Sequence, residues 1–154
     1  MREKMRNMVP VMLMIFLISG SLKAQTGFGF RAGVTADPNQ FHFGAHVVTD
    51  PLVGNLTFRP NLEIGVGSNA TTVAANLEFA YRIPIPKSPC SAYIGAGPAL
   101  DVYKFSESRG GRTDAGGGFN ALVGLEHRDG LFGELKVGAL DSPSLKFTIG
   151  YTFR

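Results

Sequence analysis

The end of the chain carries the clearest alternation of apolar and polar positions. From Leu145 to Phe153 every odd position is bulky and apolar or aromatic, and every even position is Lys, Thr or Gly. A β-strand with this pattern has one apolar and one polar face, because successive side chains of a strand point to opposite sides. The same period recurs in seven runs upstream, and no helical period appears after residue 24. The pattern therefore predicts an all-β chain of eight strands.

The seven upstream runs are separated mostly by short stretches of Asp, Asn, Pro, Ser and Gly, which are typical of turns. The runs cover residues 28–35, 41–48, 56–67, 73–83, 92–103, 119–126 and 131–139. Pro60 lies inside the third run, where it predicts a bulge or a missing hydrogen bond, because proline has no amide hydrogen to donate. The one long connection, residues 104–116, is predicted to be a surface loop in which Lys104, Arg109 and Arg112 give a modest basic excess.

Strand number and length favour a closed sheet that crosses a membrane. Runs of eight to twelve residues match the approximate length with which a tilted strand spans a bilayer. An even number of antiparallel strands brings the first and the last together, which removes the edges of the sheet. The predicted fold is an eight-stranded antiparallel up-and-down transmembrane β-barrel.

The polar faces carry equal numbers of acidic and basic side chains, as a confined interior requires, because an unpaired buried charge is costly. The predicted interior charge network consists of Arg31, Arg59, Glu63, Glu78, Arg82, Asp101, Glu126, Glu134, Lys136 and Lys146. The aromatic residues of the apolar faces fall near the two ends of the strands, like the aromatic girdles of membrane barrels. A soluble ligand-binding barrel in the periplasm, with its apolar face inward, remains an alternative at this point.

Residues 1–24 have the features of a cleaved secretory signal peptide: a basic start, an apolar run too short to span a bilayer as a helix, and small residues before Ala24. The remaining domain is then 25–154. The chain has 15 basic and 12 acidic residues, and the first 24 residues hold four of the former and one of the latter, so eleven of each remain. A neutral mature chain gives no electrostatic basis for binding nucleic acid.

Few residues suggest catalysis, and we predict no cofactor, no metal site and no enzymatic activity. Cys90 is the only cysteine, which excludes an intrachain disulfide. His42 and His46 share the polar face of the second run, too far apart along the strand to chelate one metal ion. The alternative is an enzyme that modifies membrane lipid as an acyl hydrolase or acyltransferase, with Glu63 or Asp101 orienting a histidine and Ser106 or Ser108 as nucleophile.

The terminal run carries a resemblance to a known family. Gly150, Tyr151 and Phe153 lie in a stretch that resembles the carboxy-terminal assembly signal of bacterial outer-membrane barrels, with Arg154 as a departure from that signal. The chain resembles the small eight-stranded barrels of the OmpA/OmpX type. The resemblance implies export by the general secretory route, an outer-membrane location, contact with outer-membrane lipid and recognition of the last strand by the barrel-assembly machinery. We expect a monomer with a structural or surface-interaction role and not an open pore, because eight strands leave room only for the barrel's own side chains.

Overall fold

The computed structural model describes residues 26–107 and 110–154, so the predicted signal peptide, as well as Ser108 and Arg109, lies outside the described residues. The strands are β1 (Gly27–Ala36), β2 (Gln40–Val48), β3 (Leu56–Val66), β4 (Ala70–Pro84), β5 (Cys90–Phe105), β6 (Thr113–His127), β7 (Leu131–Leu140) and β8 (Leu145–Phe153). Over the same two ranges, no helix is long and apolar enough to cross a membrane.

The eight strands form a closed barrel in which each strand pairs antiparallel with its neighbours in the sequence. The first and last strands meet, with Phe28 opposite Phe153 and Ala36 opposite Leu145. The predicted fold class is therefore confirmed. We call the end where β1 begins and β8 ends the termini end, and the opposite end the loop end. Three connections lie at the termini end (49–55, 85–89 and 128–130) and four at the loop end (37–39, 67–69, 106–112 and 141–144).

The alternation decides which side chains face the interior. Glu63, Glu78 and Lys136 are each 1% exposed, whereas Leu77 and Ile94 are 51% and 58% exposed on the outer surface. The polar faces therefore point inward and the apolar faces outward on the described strands. This orientation is the reverse of a soluble barrel with an apolar interior, so that alternative does not fit.

The strands β5 and β6 are longer than the sequence predicted, and the surface loop is correspondingly shorter. Lys104 belongs to β5 and pairs with Thr113, and the ladder continues to Leu100 opposite Gly117. The prediction that residues 104–116 form one loop is wrong, because its glycine-rich part is strand. A Cβ atom at Gly116 would collide with the side chain of Asp141 from the neighbouring connection, so a larger residue would fit there only if Asp141 moved.

Pro60 lies where the pairing of β2 with β3 is interrupted. The ladder between these strands runs from Phe41 opposite Val66 to His46 opposite Asn61, and beyond Pro60 the amide of Thr49 donates to the carbonyl of Phe58 at 3.0 Å in the same register. On its other side, β3 pairs continuously with β4, and Pro60 is opposite Leu77. Of the two predicted consequences of Pro60, a missing hydrogen bond is therefore the one observed, because proline has no amide hydrogen for β2.

Candidate functional site

Six of the ten residues of the predicted interior charge network form one group in the middle of the barrel. The central cluster consists of Arg31, Glu63, Glu78, Glu134, Lys136 and Lys146. Its shortest contacts are 2.6 Å from Lys136 Nζ to Glu78 Oε1 and 2.6 Å from Lys146 Nζ to Glu63 Oε2. Three acids and three bases, drawn from five strands, balance one another, as buried charges require.

Arg31 joins strands on both sides of the central cluster. Its Nη2 donates to Glu134 Oε1 at 2.9 Å, and its Nη1 lies 3.3 Å from Glu63 Oε1. Glu134 also accepts a hydrogen bond from the hydroxyl of Tyr93 at 3.0 Å. Arg31 comes from β1, Glu63 from β3 and Glu134 from β7, so these contacts run across the barrel interior.

A second group, the arginine cluster, lies closer to the termini end and consists of Arg59, Arg82 and Arg154 around Glu126. Arg59 Nη2 donates to Glu126 Oε2 at 2.6 Å, and Arg82 Nη2 donates to Glu126 Oε1 at 3.0 Å. Arg154 also binds Glu126 Oε1 through Nη2. The guanidinium of Arg59 stands 4.1 Å above the ring of Tyr93, which connects the arginine cluster to Glu134.

Asp101 is the one predicted network member that the structure places apart from both clusters. It is 1% exposed, and its Oδ2 accepts a hydrogen bond of 2.9 Å from Ser142 Oγ. None of the ion pairs among the described residues includes it. Asp101 lies near the loop end of β5, where its pairing partner is Gly116, and neither Arg31 nor the two central lysines come within ion-pair distance of it.

Three asparagines and Glu78 close a ring of hydrogen bonds next to the central cluster. Asn120 donates to Asn76 Oδ1 at 2.7 Å, and Asn76 donates to Asn61 Oδ1 at 2.7 Å. Asn61 then donates to Glu78 Oε2 at 2.8 Å, and Asn120 donates more weakly to Glu78 Oε1 at 3.4 Å. Because Lys136 also binds Glu78, the amide ring and the central cluster form one continuous polar network.

The two histidines bind threonines and not carboxylates. His42 Nδ1 and Nε2 lie 2.8 Å and 2.9 Å from the hydroxyls of Thr35 and Thr148, and His46 Nε2 lies 2.9 Å from that of Thr152. The hypothesis that Glu63 or Asp101 orients a histidine is wrong in this respect, because the threonines of β1 and β8 take those positions. Ser106 donates to the carbonyl of Asn69 at the loop end.

The predicted surface loop is divided by the structure. Arg112 lies in the connection 106–112, pairs with Asp114 at 2.5 Å and stands 5.8 Å from the centre of the Phe105 ring. Lys104 is exposed on β5, and Arg109 is outside the described residues. At the same end, the hydroxyl of Tyr103 donates to the carbonyl of Asp141. This hydrogen bond links β5 to the connection between β7 and β8.

The predicted assembly signal forms part of the seam between β1 and β8. The ring of Phe153 lies 5.4 Å from that of Phe28, 6.4 Å from that of Phe30 and 4.9 Å from that of Tyr151. Gly150 is opposite Arg31 on β1, and a Cβ atom there would collide with the ring of Phe132 inside the barrel. The predicted assembly signal thus has aromatic contacts on the outer face of the barrel and, at Gly150, space on the inner face that the ring of Phe132 occupies.

Sequence reasoning did not assign partners to Tyr93, Ser142, Arg154 or the interior threonines. A signal was present for Thr148 and Thr152, which share the polar face of β8 with the same four-residue spacing as His42 and His46 on β2. Because β1 alone separates β2 from β8 and carries glycines at positions 29 and 33, the imidazoles can reach across it. Arg154 was considered only as a departure from the terminal motif, although it supplies a sixth cation to the interior.

Comparison with solved structures finds the same architecture in outer-membrane proteins. The chain is similar to the N-terminal β-barrel domain of OprF from Pseudomonas aeruginosa, with a TM-score of 0.66 and 12% identity over 83% of this chain and 96% of that one. It is also similar to Neisserial surface protein A, with a TM-score of 0.54 and 11% identity over 82% and 91% of the two chains. The predicted resemblance to small outer-membrane barrels is confirmed at the level of the fold.

No protein-family model matches the sequence, and a search of characterised proteins by sequence finds no significant match. At 11–12% identity the structural likeness concerns the backbone and not the side chains of any site. The function therefore has to be argued from the residues of this chain.

Proposed function

We propose that residues 25–154 form an integral outer-membrane barrel with a filled polar interior and a structural or surface-interaction role. The observation that carries the proposal is the placement of charge: acids and bases are buried inside the barrel while large apolar side chains cover its outside. Membrane barrels require this inverted arrangement, because hydrocarbon surrounds the outer surface and the polar groups must be satisfied within.

The outer surface supports a lipid environment. Leu77, Ile94 and Val123 lie within the strands and are between 51% and 58% exposed. Each exposed apolar Å² costs about 25 cal/mol in water relative to an apolar environment, so an apolar belt around a whole barrel would be very unfavourable in solution. Aromatic pairs such as Phe58 and Phe79, 4.8 Å apart, lie toward the termini end, as expected at a membrane interface.

The interior supports a barrel that does not conduct. The central cluster and the amide ring connect β1, β3, β4, β6, β7 and β8 through direct side-chain contacts across the lumen. The single side chain of Glu78 contacts three others, those of Lys136, Asn61 and Asn120. Opening a path for ions would require several of these contacts to break at once, which leaves buried charges unpaired.

The same proposal includes the route, the partners and the surface role. Residues 1–24 direct export through the general secretory route, and β8 with Gly150, Tyr151 and Phe153 is recognised by the barrel-assembly machinery. Outer-membrane lipid then surrounds a monomer, because a closed barrel has no free edge for pairing with another chain. Contacts at the cell surface fall to the loop end, where Lys104 and Arg112 are exposed.

A nitroxide label attached at Leu77 is expected to contact acyl chains in lipid vesicles. The label is introduced through a cysteine at position 77 in a Cys90→Ser background, and its accessibility to oxygen and to a water-soluble nickel chelate is compared by electron paramagnetic resonance. Oxygen accessibility should dominate, because Leu77 lies on the outer face. A label at Val53, which is 76% exposed in the connection 49–55, is the control and should favour the nickel chelate. The same water accessibility at both positions would contradict the membrane assignment.

Purified folded protein in a planar lipid bilayer is expected to produce no discrete conductance steps. The reason is that a conducting path would have to break the continuous network of contacts through Glu78 and Lys136. Folding is checked by the difference in gel migration between heated and unheated samples, so that an inactive preparation is not mistaken for a closed barrel. Reproducible steps from folded protein would exclude the filled interior while leaving the membrane assignment intact.

A further inference from the structure

The arginine cluster holds more positive charge than its surroundings compensate. Among the side chains of the described residues, three guanidinium groups share the single carboxylate of Glu126, so the side chains of the cluster carry two more positive than negative charges. The neighbouring central cluster does not offset it, because its three acids and three bases already balance. The connections at the termini end do not offset it either, since Lys87 and Arg128 are matched there by Asp50 and Asp129.

The donors of the cluster also exceed the acceptors available to them. Both oxygens of Glu126 are already used, Oε2 by Arg59 and Oε1 by Arg82 and Arg154. The Nε atom of Arg82 is buried and has no hydrogen-bond partner among residues 26–107 and 110–154. A guanidinium group carries five N–H donors, so most of those on Arg82 and Arg154 are unmatched. Such a set of donors is suited to an oxyanion, which accepts several charge-assisted hydrogen bonds at once.

The cluster is partly exposed at the termini end. The side chains of Arg82 and Arg154 are 26% and 30% exposed, whereas that of Arg59 is 8% exposed. Arg82 lies two residues before the end of β4 and Arg154 directly follows β8, which places both at the termini end. A ligand therefore approaches from that end and meets Arg82 and Arg154 first, with Arg59 and Glu126 behind them.

We propose that the termini end of the barrel is an anion-binding site in which Arg82 and Arg154 bind a phosphate group and Arg59 supplies further positive charge. Inorganic phosphate or a phosphate monoester carries between one and two negative charges near neutral pH, and the phosphodiester of a phospholipid headgroup carries one, so the positive side chains of the cluster attract either. The phosphate comes from solution or from the headgroup of a phospholipid, and the two sources share the chemistry that the arginines recognise.

The first test is a calorimetric titration of the full chain, folded in detergent micelles, with inorganic phosphate at low ionic strength. Saturable binding is expected, and it should weaken as sodium chloride is added, because salt screens accessible charges. The variant Arg82→Gln should bind phosphate about tenfold more weakly or worse, since it loses charge-assisted hydrogen bonds. Lys87→Gln is the matched control: it removes one positive charge from an exposed position at the same end and should change the affinity by about twofold at most.

A second titration distinguishes the source of the phosphate. Short-chain phosphatidylglycerol is added to the same micelles in place of inorganic phosphate. If inorganic phosphate binds, whether or not the lipid also binds, the site accepts soluble phosphate. If only the lipid binds, the site accepts a headgroup. In both cases Arg82→Gln must weaken the binding that is observed. The absence of saturable binding of both probes overturns the proposal, as does an equal loss of affinity in Arg82→Gln and Lys87→Gln.

Arg154→Gln provides an independent variant if Arg82→Gln fails to fold. Arg154 follows the last strand and is partly exposed, so its replacement leaves the strand ladder intact. Folding of every variant is established by the heat-dependent gel migration before the titration. Phosphate affinity should fall several-fold in folded Arg154→Gln, and an unchanged affinity in that variant overturns the proposal.

Discussion

Replacing Lys136 by methionine is expected to lower the free energy of unfolding by about 3–5 kcal/mol, the usual cost of removing one partner from a buried ion pair. Lys136 is 1% exposed, and its Nζ lies 2.6 Å from Glu78, 3.7 Å from Glu134 and 3.8 Å from Glu63. Methionine fills a similar volume without charge, so three buried carboxylates face only the two cations Arg31 and Lys146. Urea titration of protein folded in lipid vesicles, followed by gel migration, measures the change.

Two further variants separate the loss of charge balance from other effects. Lys104→Met makes the same substitution at an exposed position of β5 and should change the free energy of unfolding by about 0.5 kcal/mol or less. The double variant Lys136→Met with Glu78→Gln restores equal numbers of acids and bases and should recover a large part of the stability lost in Lys136→Met. Equal destabilisation by Lys136→Met and Lys104→Met would contradict a special role of the central cluster.

The interior location of the charged residues was predictable because a strand has a period of two. Once Leu145 to Phe153 is recognised as a strand, Lys146 must lie on the face opposite Phe147 and Ile149. The closed barrel follows from the even number of such strands. The choice between an apolar and a polar interior, in contrast, depended on charge balance and on the aromatic pattern, which both orientations can satisfy to some degree.

The pairing inside the barrel was not predictable from the sequence. Which residues meet across the lumen depends on the stagger between strands that are distant in sequence, such as Lys146 on β8 and Glu63 on β3. Alternation gives the face of a residue but not its height in the barrel. Asp101 shows the difference: it faces inward like the others but lies at the height of Ser142 and away from the central cations.

The glycine-rich segment before Phe119 was misjudged for a local reason. Glycine usually indicates a turn or loop because its backbone is permissive, and Gly116, Gly117 and Gly118 have no side chains from which to read an alternation. In the structure they belong to β6. The space that a side chain would need is occupied by Asp141 at Gly116 and by Ser142 at Gly118, so at these two positions glycine reflects close packing against the connection 141–144, whereas a Cβ atom at Gly117 would meet nothing.

Replacing Phe153 by alanine is expected to remove most of the folded protein from the outer membrane. Its ring packs against Phe28, Phe30 and Tyr151, and aromatic pairs of this kind each contribute about 0.5–1.5 kcal/mol beyond the area they bury. Loss of two such pairs costs about 1–3 kcal/mol, and 1.4 kcal/mol already corresponds to a tenfold change in an equilibrium. Heat-dependent gel migration of membrane fractions measures the folded yield.

Phe147→Ala is the matched control, because Phe147 lies on the same outer face of the same strand, six residues away, and is 51% exposed. Phe147 also faces β1, opposite Val34, but no aromatic ring of β1 packs on it among the described residues. Both variants lose a phenylalanine ring from the outer surface. A difference in folded yield therefore measures the effect of the contacts between Phe153 and β1 at the termini end. Equal yields in the two variants would show that β8 needs only a hydrophobic face, and that the contacts of Phe153 with Phe28 and Phe30 do not decide whether the barrel closes.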